Sequence, residues 1–401
     1  MTRAVAHHSP VDNRGWVAVG LMVGPAVSLG LARFAYALVL PTMRSDLRWS
    51  FGTAGALNSA NALGYLFGAL IASRISAAVG ERRAFSGSLA LTAATLLASA
   101  SSGRVAALVV LRLIAGAAGA VALVAGGGMV AKLGRDRSVR RATALLSIYF
   151  LGSGVGVLIS GLVVPAVVPL GWRAAWLVLG GLSSLGLAAA VPASRAVAGN
   201  DPEREKTREQ RVPMGKLGAL TTAYGLFGAG YIAYMTFIVA YLKQHGFSGG
   251  GITFFWSLLG LSAIAGGFAW RPVLTSLPGG RSAAPVLVVV TVGAALPVVT
   301  DGPVGFLLSA CSFGVGFLSV ITAVTTGARN MLPEHQWTRA IGILTTVFAL
   351  GQCLGPVLSG ALSDGPGGIR AGLSIGAALL GLAVVAALFQ SSSARSYHIR
   401  P

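Results

Sequence analysis

Gly30-Leu-Ala-Arg33-Phe-Ala-Tyr36-Ala-Leu-Val-Leu-Pro41-Thr-Met43 decides how this chain is read. It closes an apolar run from Trp16 to Met43, longer than the roughly 20 residues a helix needs to cross a bilayer core. Arg33 stands inside that run, with two apolar turns beyond it. A charge at that depth costs about 3 kcal/mol on insertion scales, so it should face protein or a watery cavity and marks a functional position. The competing reading is an arginine tied to main-chain carbonyls or snorkelling to the interface.

Composition extends this reading to the whole chain. Of 401 residues, 54% are hydrophobic and only 10% charged, with mean hydropathy +0.76. That much apolar surface marks a multi-spanning membrane protein. The runs are long, glycine-rich and not alternating, so they read as helices and not barrel strands. The 56 glycines suit close helix contact in lipid. A net charge of +19 invites a nucleic-acid reading, but the basic residues sit in short loops between spans, which excludes it. Cys311 and Cys353 lie inside apolar runs, where packing explains them better than a disulfide or metal.

The fold class expected is an all-α polytopic membrane protein of twelve helices. The spans run near 16–43, 51–73, 84–101, 104–131, 142–168, 172–193, 217–242, 250–270, 283–299, 303–327, 340–362 and 370–390. Residues 1–15 form an N-terminal tail, 16–193 a first six-helix half, 194–216 a charged linker, 217–390 a second half and 391–401 a C-terminal tail. With the N-terminus in the cytoplasm, 22 of the 30 Lys and Arg fall on cytoplasmic segments, which places both termini there. The expected setting is the bacterial inner (plasma) membrane.

The halves repeat. A shift of 198 carries Gly30-Leu-Ala-Arg33-Phe-Ala-Tyr36 onto Gly228-Ala-Gly-Tyr231-Ile-Ala-Tyr234, Trp49-Ser50 onto Phe247-Ser248 and Gly68 onto Gly266. A shift of 199 carries Gly152 through Gly161 onto Gly351 through Gly360. Span one pairs with seven and five with eleven, so the halves run in the same sense. Such parallel repeats belong to transporters that hold substrate between the halves near the midplane.

Candidate binding residues follow. Helical spacing puts Arg33 and Tyr36 on one face of span one, and the repeat aims Tyr231 and Tyr234 of span seven at the same axis. An aromatic stripe runs through Tyr224, Phe227, Tyr231, Tyr234, Phe237 and Tyr241, for which helix packing is the plain alternative. Asn58, Asn61 and Tyr65 share a face of span two, where amides also serve as interhelical glue. Arg112 begins Arg112-Leu-Ile-Ala-Gly116-Ala-Ala-Gly119, so it points into protein, either to pin a neighbouring helix or to touch substrate. The spans hold no Asp or Glu, and a guanidinium stays protonated and forks onto carboxylate or phosphate. The substrate expected is therefore a small organic anion or acidic amphiphile. A buried carboxylate for proton coupling is missing, which leaves exchange, uniport, or coupling through a span-end group such as Asp46 or Asp364.

These residues resemble the major facilitator superfamily over the whole chain. Arg112 through Gly119 looks like its span-four motif. Gly351-Gln-Cys-Leu-Gly355-Pro356-Val-Leu-Ser359-Gly360 resembles its Gly-x-x-x-Gly-Pro-x-x-Gly-Gly motif, which marks span five of many exporters. Here the proline is on span eleven and Val157 replaces it on span five, so the exporter inference does not follow. The loop after span two lacks the motif's Asp, a residue that helps lock the superfamily's inter-half gate. Gly30 through Met43 and Gly64-Tyr65-Leu66-Phe-Gly68 are similar to the YbfB/YjiJ-like branch.

The function expected is thus secondary transport by alternating access. Arg33 and Arg112 anchor the anion, and Tyr36, Asn58, Asn61, Tyr231 and Tyr234 shape the site. Gly152, Gly156, Gly161, Gly351, Gly355 and Pro356 let spans five and eleven bend. The partners expected are the lipid bilayer and the small-molecule substrate, with a coupling ion only if transport is neither exchange nor uniport; the protein is expected to be a monomer with no cofactor or metal. Two alternatives stand beside this: an exporter of uncharged or cationic amphipathic drugs, and a non-transporting membrane sensor or scaffold. No nucleophile–base pair or phosphate loop points to an enzyme.

Overall fold

The structure, a computed structural model, describes residues 14–135, 138–197, 214–277, 279–300 and 302–390. The tails 1–13 and 391–401 and most of the charged linker lie outside the described residues. The principal helices are α1 Arg14–Leu47, α2 Phe51–Val79, α3 Glu81–Ser99, α4 Val105–Gly134, α5 Val139–Val167 and α6 Trp172–Ala196, then α7 Met214–Gln244, α8 Gly249–Ala269, α9 Ala283–Val299, α10 Pro303–Met331, α11 Trp337–Ser363 and α12 Gly368–Leu388. They follow the twelve expected segments in order. Ten are long and apolar enough to cross a membrane; α9 is a shorter apolar helix, and α3 is more polar than the rest. Its buried hydroxyls are satisfied locally: Thr92 donates to Ser88 O (2.9 Å), Thr95 to Thr92 O (2.7 Å) and Ser99 to Thr95 O (2.7 Å). Several helices overrun their apolar cores, α2 reaching Val79 and α7 starting at Met214. Beyond the core, water satisfies the backbone and the helix continues at little cost.

Glycine sets the helix crossings. A Cβ on Gly64 would sit 2.0 Å from Leu113 O, and one on Gly116 2.0 Å from Asn61 O, so α2 and α4 touch backbone to backbone. Small residues permit that approach, and packing rather than hydrophobicity holds helices together in lipid. The repeat governs where these contacts fall. Ser50 and Ser248 cap α2 and α8 by accepting from Thr53 N (3.0 Å) and Gly251 N (3.2 Å). Arg48 and Gly246, just before them, both take left-handed φ, 52° and 76°. Both pairs lie 198 apart.

At the other end of α1 and α7 the register drifts. Gly156 of α5 meets Ala26 O, whereas Gly355 of α11 meets Ala229 O, which is 203 residues beyond Ala26. The extra residues are absorbed between Ala26 and Arg48. There α1 winds as a π-helix over Ala26–Phe34, closed by Ala35 N–H donating to Gly30 O at 3.0 Å. Uniform α-spacing, as expected for span one, therefore does not hold around Arg33.

The halves close on each other from mid-depth toward the end where α1 stops and α2 begins, called here the distal end. Gly55 of α2 lies against Pro356 O and Gly360 against Phe51 O. Trp256 of α8 donates to Ser160 Oγ of α5 at 3.2 Å. At the rim, the Asp364 carboxylate accepts from the Phe51 and Gly52 N–H groups at 2.7 and 2.8 Å. A residue just past α11 thus caps the first turn of α2 across the seam, where carboxylate and helix N-terminus attract. Arg44 lies over the Phe51 ring at 3.6 Å.

Partial burial pushes the Asp364 carboxyl up. The Gly52 and Phe51 amides, the Ser50 hydroxyl and the Arg44 charge outweigh that and hold it below its ordinary value. The sign is that of a depressed carboxylate: the cap is present above about pH 4 and is lost as pH falls below that. Labels at Ser45 and Gly365, one in each half and both exposed, should report a distal distance that is constant from pH 5 to 8. Asp364→Ala should lengthen and broaden that distance at neutral pH; an unchanged distribution means the cap does not hold the seam.

Candidate functional site

The centre of the molecule is built on Arg33. It is 3% exposed, at mid-depth on α1. A Cβ on Gly30 would lie 2.4 Å from Gly156 Cα, so α1 presses directly on α5 one turn before it. The guanidinium therefore turns toward the second half. Its Nη2 donates to Gln352 Oε1 on α11 at 2.8 Å, and it lies over the Tyr65 ring of α2 at 5.3 Å. Gln352 Nε2 donates in turn to the Tyr231 hydroxyl of α7 at 2.5 Å. The repeat partners Arg33 and Tyr231 thus reach the same amide from opposite halves. Arg33 Nε is buried with no partner among the described residues.

Tyr231 is held flat. It stacks on Phe227 (4.8 Å between centroids), Phe348 (5.7 Å) and Phe317 (6.3 Å), while Tyr224 stacks on Phe348 at 4.4 Å. The aromatic stripe of α7 divides as the helix turns. Tyr224, Phe227 and Tyr231 meet α11. Tyr234 stacks on Phe313 at 3.9 Å and shares a hydrogen bond with Ser309 Oγ at 2.7 Å, both on α10. Phe237 meets Phe51 edge-on across the seam at 6.0 Å, and Tyr241 packs on His245 and Phe306.

The other expected site residues separate into two groups. Asn58 faces the second half, where its Nδ2 donates to Thr236 Oγ1 at 2.5 Å and its Oδ1 has no partner among the described residues. Tyr36, Asn61 and Arg112 face inward to the first half. Tyr36 donates to Ala54 O at 2.9 Å and stacks on Trp176. Asn61 Nδ2 donates to Arg112 O at 3.1 Å. Arg112, 1% exposed, donates from Nη2 to Ala32 O in the π-helical segment and lies over Tyr36 (5.6 Å) and Trp176 (5.1 Å). Its Nε and Nη1 have no partner among the described residues.

The expected hinge glycines all lie at close crossings. Gly152 and Gly156 press on Met22 O and Ala26 O of α1, and Gly351 and Gly355 on Gly225 O and Ala229 O of α7. Gly161 lies against Trp256 of α8, and Pro356 offers its carbonyl to Gly55. Helices α5 and α11 run unbroken through them.

Among the described residues, no carboxylate stands at the centre. Asp46, in the last turn of α1, accepts from Trp172 Nε1 at 2.6 Å; Glu81 pairs with Lys132 at 3.0 Å; Asp364 caps α2. No group of three or more His, Cys, Asp or Glu with metal-binding geometry occurs among the described residues. The residue the expectations missed is Gln352. It lies inside the Gly351–Gly360 motif, where glycines and proline drew the reading to packing. Its signal was the one used for Asn58 and Asn61: an amide inside an apolar run.

Comparison with known proteins places this geometry. The family described as "Uncharacterised MFS-type transporter YbfB" matches residues 25–388. A chloramphenicol resistance protein of Streptomyces lividans is 28% identical over 368 residues, covering 84% of this chain and 87% of its own. A bacterial homologue of the human lysosomal transporter Spinster, inward-facing and occupied, superposes with TM-score 0.74 at 13% identity over 95% of this chain and 97% of that one. The nucleoside transporter NupG superposes with TM-score 0.69 at 14% identity over 93% and 97%. At these identities the structural likeness is one of fold.

Arg112 acts as a strut between α4 and the π-helical segment. Arg112→Ala removes a charged hydrogen bond, worth about 2 kcal/mol, and opens the space beside Tyr36 and Trp176. The melting temperature of the purified protein in detergent should fall by several degrees; an unchanged melt removes the strut.

Proposed function

This chain belongs to the YbfB-type family of MFS transporters, and we propose that it moves a small organic anion or acidic amphiphile across the membrane by alternating access. The observation that carries this is Arg33: a permanent cation between the halves, with a buried N–H unpartnered and a neutral amide as its one hydrogen-bonded neighbour among the described residues. Buried polar groups normally find partners, and a guanidinium is best matched by a forked oxyanion. Tyr65 and Tyr231 border the same position, so the apolar body of an amphiphile there lies beside aromatic rings. Asn58, with a free carbonyl oxygen at the seam, is the second polar group available to cargo. Arg112, Tyr36 and Asn61 support the first half, and Tyr234 supports α7 against α10.

The basic loops support an orientation with both termini in the cytoplasm and the distal end on the outer face, in a setting we read as the bacterial inner (plasma) membrane. The seam closed at that end then corresponds to an inward-facing arrangement, and the glycine crossings at Gly152, Gly156, Gly351 and Gly355 are the pivots on which the halves rock. The protein works as a monomer with no cofactor.

A second reading is export of an uncharged or cationic drug, favoured by the chloramphenicol resistance relative and by the aromatic stack at Tyr224, Phe227, Tyr231 and Phe348. In it the arginines are structural. Uptake of benzoate, succinate and phosphate into proteoliposomes separates the two. Arg33→Gln should reduce uptake of the transported anion at least tenfold, with Arg33→Lys between it and wild type. Undiminished uptake in Arg33→Gln sinks the anion reading, and resistance to lipophilic cations or uncharged drugs that survives Arg33→Gln supports the second.

A further inference from the structure

We infer that Gln352 is a specificity and coupling residue: it occupies the Arg33 guanidinium in place of the anion, and the anion's arrival breaks a tie between the halves. This rests on the reading of Arg33 as the anion anchor. Gln352 is 1% exposed and makes two bonds, accepting from Arg33 and donating to Tyr231. The first crosses the seam, α1 to α11; the second stays within the second half, α11 to α7. Tyr231 cannot follow a moving partner, because Phe227, Phe348 and Phe317 hold its ring. Gly351 beside it is pressed on Gly225 O, so the backbone of α11 is fixed there too. What can move is the amide of Gln352 and the guanidinium facing it.

The chemistry ranks the two acceptors. A neutral amide oxygen takes one N–H of Arg33. A carboxylate or phosphate takes two in a fork and carries charge on the acceptor side as well, which the amide lacks. An entering anion therefore displaces Gln352 Oε1, and Arg33 exchanges a partner on the second half for one on the cargo. The seam loses its mid-depth tie while keeping Asn58–Thr236 and the Asp364 cap. Occupancy is thereby converted into freedom of one half against the other. A neutral solute of the same shape gains little at Arg33 and leaves the tie in place, so the same amide discriminates by charge. The internal repeat supports a special role: position 352 answers to Ser153 at a shift of 199, and Ser153 is too short to span the seam.

The test measures benzoate affinity and transport on purified protein, with benzamide as the neutral isostere and succinate and phosphate as further anions. Gln352→Glu gives Arg33 a permanent carboxylate neighbour and should weaken benzoate at least tenfold without lowering the melting temperature. Gln352→Met removes the competitor: benzoate should bind about threefold tighter while maximal transport falls, a split that loss of packing alone does not produce. Unchanged benzoate affinity in both variants, with Arg33→Gln still defective, overturns the Gln352 inference and leaves the anion site standing. Full benzoate binding in Arg33→Gln, or no response of wild type to any of the three anions, overturns the anion site and this inference together.

Discussion

A guanidinium held at mid-depth between two helical bundles, with an amide and a phenol as its nearest company, is the constraint around which the rest is arranged. Its desolvation has to be offset by neighbours brought in from several helices: Gln352 on α11, Tyr231 on α7 and Tyr65 on α2. None of these lies on α1. The charge can be buried only if both halves are assembled around it, so its environment reports on how the halves stand.

The local winding of α1 is the second consequence. A π-helical segment from Ala26 to Phe34 carries Arg33 at its end and presents Ala32 O to Arg112. Two cations are thus accommodated by different means. Arg112 gives Nη2 to main chain and lies over aromatic faces within one half, bridging α4 to α1, with Nε and Nη1 unpartnered among the described residues. Arg33 spans the seam with a bond to a neutral side chain. One arginine is thus bonded within its own half, and the other reaches across to a side chain of the opposite half.

The seam itself is graded. At the distal rim a carboxylate caps a helix from the opposite half; deeper, Asn58 meets Thr236; at the centre, Arg33 meets Gln352. The Asp that would lock the superfamily's gate after span two is absent. Asp364 sets a carboxylate against a helix N-terminus at the other end of the bundle. Polar ties of this kind hold closely packed halves in one arrangement, and each can be given up singly.

Much of the fold was legible in the sequence because bilayer chemistry leaves few choices. Long apolar runs must be helices, their number follows from their lengths, and the offset of 198 reappears in the Ser50 and Ser248 caps and the Arg48 and Gly246 turns. The burial of Arg33 and Arg112 was legible for the same reason: no charge is left facing lipid. What only the tertiary structure decided was direction. The face a side chain presents depends on local winding, and the π-helical turns displaced the register of α1 where it mattered. Whether a buried polar group is framework or site depends on which helix crosses it, as for Tyr36, Asn61 and Arg112, which turned into one half. The amide of Gln352 stood out inside an apolar run, but its partner became visible only when α11 was laid against α1, because a partnership across 319 residues of chain leaves no trace in local spacing.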